Sequence, residues 1–234
     1  MKIALLGYGR MGKEIEKIAL QRGHEIVIKS SGKETYDITE ADVAIDFSIP
    51  LSAYKNISNC INNNIPVISG TTGWLDKYND IVSLCNQKNG AFIYASNFSL
   101  GVNIFFELNN QLAKMMDTLE EYNVSIEEIH HIKKLDAPSG TAITLAEGII
   151  ENSKEINEWS LLPETKDNAV PITAVRTPEV PGTHTISYDS EIDSIEIKHT
   201  AHNRKGFALG AVVAAEWLVG KTGVFTMKDV LNIG

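Results

Sequence analysis

The first hundred residues alternate short apolar runs with stretches whose apolar residues recur at helical spacing. Ile3 to Leu6 is continuously apolar and runs into a glycine, Arg10 to Gln21 carries Ile15, Ile18 and Ala19 at helical intervals, and His24 to Ile28 is again strand-like. The pattern recurs with a strand over Val43 to Phe47, a helix over Leu51 to Ile61, a strand over Val67 to Ser69, a helix over Leu75 to Gln87 and a strand over Ala91 to Ala95. Strands that alternate with helices predict a parallel sheet with right-handed crossovers. The expected fold class is α/β, beginning with a Rossmann-type doubly wound sheet.

After Asn97 the rhythm changes. Val102, Phe105, Phe106, Leu112, Met115 and Met116 predict one long amphipathic helix, followed by a strand from Val124 to Ile129. Thr141 to Asn152 reads as a helix and Asn157 to Pro171 as a loop, with strands over Ile172 to Val175, Thr183 to Tyr188 and Ile192 to Thr200. This is a second, α+β lobe with an open mixed sheet. Phe207, Ala211, Ala214 and Leu218 share one face of a closing helix expected to return to the first lobe. The expected division is 1–98 with 204–234, and 99–203.

Composition narrows the function. A chain of 234 residues exceeds one typical domain, which agrees with two lobes. Its 21 basic against 30 acidic residues give a net charge of −9, so no overall field favours nucleic acid or an anionic membrane, and an anionic ligand needs a local site. Cys60 and Cys85 are too few for a disulfide framework and lack zinc spacing, which fits a reducing cytoplasm. The apolar part of Met1 to Gly7 is short for a signal peptide, and Phe207 to Val219, broken by Glu216, falls short of the roughly 18 residues of a membrane span.

Gly7-Tyr8-Gly9-Arg10-Met11-Gly12 fits G-x-G-x-x-G between a strand and a helix, where free N–H groups and the helix dipole hold a pyrophosphate. The acidic residue that would bind the ribose 2′-hydroxyl is missing, because the second strand ends Lys29-Ser30-Ser31-Gly32-Lys33. Those hydroxyls and lysines suit a 2′-phosphate unless they are solvated loop residues. The expectation therefore tilts slightly to NADPH and leaves NADH open. Gly70-Thr71-Thr72-Gly73 and Ala95-Ser96-Asn97-Phe98 each follow a strand at the carboxyl edge of the same sheet, where ligands bind in such folds, and Asn97 could face the nicotinamide.

The segment from Glu128 to Thr141 is the richest in chemistry. It holds His130, His131, Lys133 and Lys134 at a strand end, then Asp136-Ala137-Pro138-Ser139-Gly140-Thr141 opening a helix. Histidine and lysine suit proton donation to a reduced imine, and a helix N-terminus with hydroxyls suits a carboxylate. The pair His130-His131 lacks the spacing of a helical zinc site and has no third ligand nearby in sequence, so no metal is expected. His199, His202 and Arg204 read as strand-end surface residues, with Arg204 able to reach a carboxylate.

On these motifs, together with Ser99-Leu100-Gly101-Val102-Asn103 and Arg204-Lys205-Gly206-Phe207-Ala208, nearly the whole chain resembles the dihydrodipicolinate reductases. The resemblance implies reduction of 4-hydroxy-tetrahydrodipicolinate, after loss of water, by NADH or NADPH, in lysine and diaminopimelate synthesis. It implies His130 as proton donor or acceptor and Lys134 as second proton donor, with His131, Gly140 and Thr141 binding the small cyclic dicarboxylate. Gly7 to Gly12, Gly70 to Thr72 and Ala95 to Phe98 would line the cofactor, with the nicotinamide facing the second lobe. It further implies a homotetramer joined through the second lobe's sheet, with closure over ligands. Two departures stand out: the chain is short between the second strand and Val43, and the ribose acid is absent. The first lobe alone also fits another two-lobed dehydrogenase, of the aspartate dehydrogenase type, or a non-catalytic NADP-sensing protein. Neither accounts for His130, Lys134 and Thr141 together.

Overall fold

The computed structural model describes residues 1–32, 35–203 and 205–234, and the chain divides into two compact units, Met1–Leu100 with Lys205–Gly234, and Gly101–Arg204. Lys33 and Arg204, both considered above as anion ligands, lie outside the described residues. In chain order the elements are β1 Lys2–Leu6, α1 Arg10–Gln21, β2 Glu25–Ser30, β3 Val43–Asp46, α2 Pro50–Asn62, β4 Val67–Ser69, α3 Tyr78–Lys88, β5 Ala91–Tyr94, α4 Leu100–Met116, β6 Asn123–His130, α5 Gly140–Ile150, β7 Glu158–Leu161, β8 Ala169–Arg176, β9 Gly182–Asp189, β10 Ser194–Ala201, α6 Lys205–Leu218, β11 Gly223–Phe225 and α7 Met227–Leu231.

The first unit is built on a six-stranded sheet ordered β11-β5-β4-β3-β1-β2, in which every described pairing is parallel. The uninterrupted apolar runs follow from this. With helices on both faces a central strand has no solvent side, and Ile3, Ala4, Leu5 and Leu6 are all buried. One face gathers Leu5, Ile15, Ile18, Ala19 and Ile45 with Ala211, Ala215 and Leu218 of α6. The other gathers Ala4, Leu6, Ile28 and Ala44 with Ile57, Ile61 and Ile81 of α2 and α3. Pairing runs from β1 to β2 on one side and to β3 on the other, so the strand order reverses at β1, where such sheets bind ligands at their carboxyl edge.

The second unit has a mixed five-stranded sheet ordered β10-β9-β6-β8-β7. One face packs on α4 and α5 through Val124, Ile126, Val170, Ile172 and Ile186 against Phe105, Ala113, Leu145 and Ile149. The stretch expected as a loop from Asn157 to Pro171 contains β7 and the start of β8. β7 is a four-residue strand bearing Glu158 and Ser160, too short and polar to show a period. Two terminal elements also escaped the pattern: β11, only three residues long, joins β5 in parallel, and α7 follows it as a single capped turn. No helix among the described residues is long and apolar enough to cross a membrane.

Candidate active site

In the first unit the three expected cofactor segments leave β1, β4 and β5 at one edge of the sheet. The glycines of the first loop divide the work. A Cβ on Gly7, where φ is +108°, would fall 2.0 Å from the Phe47 carbonyl oxygen, and one on Gly12 would fall 2.4 Å from the Gly7 oxygen, so both are needed to close the turn. Gly9 differs, since a Cβ there meets nothing within 4 Å. It is the N-cap of α1, with no side chain capping the helix and no acid in the first turn to compete for its opening N–H groups. That cradle fits a pyrophosphate. Gly7 N and Tyr8 N both donate to Ser30 O at 2.9 Å, locking the loop to the end of β2.

The second segment is held by a residue that the sequence reading passed over. Asp46, fully buried at the end of β3, accepts at Oδ1 from Ser48 Oγ (2.7 Å) and Asn56 Nδ2 (2.9 Å), and at Oδ2 from Ser69 Oγ (2.9 Å) and Thr71 Oγ1 (2.7 Å). Burial raises its carboxyl's pKa and the four donors oppose that rise. Thr71 is thus turned inward while Thr72 remains exposed. An acid closing an otherwise apolar run was the available signal. Gly70 lies under Phe47, since a Cβ would come 2.3 Å from its ring, and Trp74 Nε1 donates to Thr71 O at 2.7 Å. In the third segment Asn97 Oδ1 accepts from Ser99 N at 2.9 Å, Ser96 is exposed, and Phe98 is 1% exposed, so Phe98 can offer a cofactor only its backbone.

The second unit assembles a separate constellation around Glu128, which is 0% exposed. Its Oε1 accepts from Arg176 Nη2 and its Oε2 from the Ser139 N–H, each at 3.0 Å. His130 Nδ1 lies 3.3 Å from Oε2, at ion-pair distance but off the line of a hydrogen bond. Burial alone would raise the Glu128 pKa, but His130, Ser139 and Arg176 together hold it at about 2. Ser139 caps α5 by accepting from Ala142 N at 3.2 Å, and its Oγ lies 3.1 Å from His184 Nε2. Burial first, and then the neighbouring His130, lower the His184 pKa to about 4, so this ring is neutral at physiological pH. The rings of His130 and His184 meet edge to face at 5.1 Å.

His130 therefore ends β6 between the Glu128 carboxylate and the His184 ring. Across from it a Cβ on Gly182 would sit 3.0 Å from Nε2, so a side chain at that position would press on the His130 ring. Gly140 and Thr141 open α5 directly after the cap, with empty space beside Gly140 and no acid in the first turn, a second anion cradle. His131 is half-buried with an unpartnered Nδ1, and Lys134 Nζ pairs with Asp136 Oδ2 at 2.7 Å. The neighbours that sequence reading missed are Glu128, Arg176 and His184. His184 lies 54 positions after His130 on a strand that pairs with β6 (184 − 130), and nothing local marks it.

Glu128, His130 and His184 bring ligand atoms within 4.8 Å of one another, supplying the third metal-ligand candidate absent from the local sequence. Each oxygen of the carboxylate nevertheless already accepts a hydrogen bond, one from the Arg176 guanidinium and one from a backbone N–H, and the guanidinium already balances its charge. The donor set suits an internal ion pair better than a metal.

Comparison with known proteins places these features in a family. Residues 1–98 match the family description "Dihydrodipicolinate reductase, N-terminus" and residues 101–231 match "Dihydrodipicolinate reductase, C-terminus". The 4-hydroxy-tetrahydrodipicolinate reductase of Christiangramia forsetii is 60% identical over 99% of this chain and 98% of its own length. That of Thermosipho africanus is 35% identical over 99% and 98%. Among solved structures, dipicolinate-bound dihydrodipicolinate reductase from Paenisporosarcina sp. TG-14 shares the fold with a TM-score of 0.78 at 22% identity, covering 97% of each chain.

Proposed function

The chain belongs to the dihydrodipicolinate reductase family, and on that premise we infer that it reduces 4-hydroxy-tetrahydrodipicolinate, with loss of water, to tetrahydrodipicolinate, using hydride from a bound nicotinamide dinucleotide. This is an oxidoreductase step of lysine and diaminopimelate synthesis. One observation carries the assignment of roles: a histidine at ion-pair distance from a buried carboxylate stands beside an uncrowded helix N-terminus fit for a carboxylate.

In this reading His130 donates or accepts the proton at the reduced centre, and Lys134 supplies the second proton once released from Asp136. His131, with its unpartnered Nδ1, and the N–H groups of Gly140 and Thr141 hold the dicarboxylate. Glu128 and Arg176 keep Ser139, and with it the start of α5, in register with His130. Gly7, Tyr8, Gly9, Arg10, Met11 and Gly12 hold the pyrophosphate. Gly70 to Thr72 and Ala95 to Phe98 line the rest of the dinucleotide. Since Lys29 is paired with Glu16 at 2.5 Å, the slight tilt to NADPH loses its nearest cation, and either NADH or NADPH serves. No metal takes part. The active form is a cytoplasmic homotetramer joined through the second unit's sheet, whose edge strand β10 exposes Ile195.

The test is a coupled assay in which freshly made synthase product is fed to the purified chain while loss of reduced cofactor is followed. Consumption that depends on the synthase product is expected. No consumption with either dinucleotide would refute the reaction, and sedimentation as a monomer would refute the tetramer.

A further inference from the structure

Pairing between β1 and β2 slips by one residue, setting Ile3 opposite Ile26 but Ala4 opposite Ile28. Because side chains alternate faces along a strand, the slip carries Lys29 onto the face that Leu5 shares with α1. There Glu16, on the second turn of α1, meets it: Oε1 lies 2.5 Å from Lys29 Nζ, and Oε2 accepts a hydrogen bond from the Tyr8 hydroxyl. The ammonium also sits 5.3 Å from the centroid of the Tyr8 ring. Tyr8 belongs to the glycine loop and Ser30 O anchors that loop, so Glu16, Lys29 and Tyr8 form one connected unit at the end of β2.

In this fold the adenosine ribose lies at the end of the second strand. There an acid selects a 2′-hydroxyl, and an arginine or lysine accepts a 2′-phosphate. This strand has no such acid, and the cation it carries has its charge already matched. A 2′-phosphate could recruit Lys29 only by breaking that pair and bringing its own negative charge toward Glu16, whereas a 2′-hydroxyl requires neither.

We propose that Glu16 is a specificity-determining residue, which holds Lys29 against Tyr8 and so withholds the strand's cation from the adenosine 2′ position. The proposal rests on the dinucleotide reading of the first unit. It makes coenzyme discrimination a property of an α1 side chain outside the glycine motif.

The test measures NADH and NADPH binding by calorimetry on the full chain and three variants. Glu16→Gln, which keeps the shape of the side chain, is expected to tighten NADPH relative to NADH by about fivefold, the scale of a surface ion pair. Lys29→Met alone should leave the ratio within about twofold, and Glu16→Gln with Lys29→Met should erase the gain. The gain should also shrink as salt is raised. An unchanged ratio in Glu16→Gln, with both coenzymes still bound, overturns the role of Glu16 alone. So does a large loss of NADPH binding in Lys29→Met, which would mean Lys29 already holds the phosphate. Failure of the unmodified chain to bind either coenzyme overturns the dinucleotide reading and this proposal with it.

Discussion

Replacing Glu128 by Gln removes one charge from the centre of the second unit while keeping the side chain's size. The carboxylate is fully buried and its pKa falls from an ordinary 4.5 to about 2, a preference for the charged form of about 3 kcal/mol. Removing one partner of a buried ion pair typically costs about 3–5 kcal/mol, because the guanidinium of Arg176 and the Ser139 N–H would lose an ionic acceptor. The two routes agree. Because the folded pKa lies below the unfolded one, this stabilisation is complete above pH 4.5 and is lost as pH falls toward about 2. Thermal melts of both proteins should differ by roughly 6–12 °C at pH 7, a gap that narrows between pH 4.5 and 2. A difference under about 2 °C at pH 7, or one independent of pH through the acid range, would refute the ion-pair account.

His184→Gln tests the neighbouring ring. With its pKa lowered from 6.5 to about 4, His184 stays neutral while the unfolded chain takes up a proton, so stability is full above pH 6.5 and falls by up to about 3 kcal/mol toward pH 4. Denaturant titrations should show that slope flattened in the variant, and an unchanged slope would exclude His184 as its source. His130→Gln should lower kcat by about 10²–10⁴-fold with dinucleotide affinity unchanged in direct binding, and a variant with normal turnover would remove His130 from the chemistry. The two loop glycines should separate folding from binding. Gly9→Val points into open space and should melt near the parent temperature while losing most dinucleotide affinity, whereas Gly12→Ala, 2.4 Å from the Gly7 oxygen, should lower the melting temperature itself.

What the sequence by itself determined is whatever depends on neighbours along the chain. Runs such as Ile3 to Leu6 announced a strand buried on both faces, the glycine spacing announced a helix start built for phosphate, and Ser139-Gly140-Thr141 announced a second helix opening to anions. Short or polar elements failed this test. β7 and β11 owe their existence to strands already in place beside them, and three or four residues cannot display a period. The charges were decided only in three dimensions. Lys29 read as a free cation until a one-residue slip in β2 turned it toward Glu16. Glu128 opened the richest segment of the sequence without a role of its own, yet with Arg176 and His184 it became the buried centre of the second unit. Coulomb energy and desolvation depend on distance through space rather than along the chain, and pairing of β6 with β8 and β9 is what brought those residues within reach.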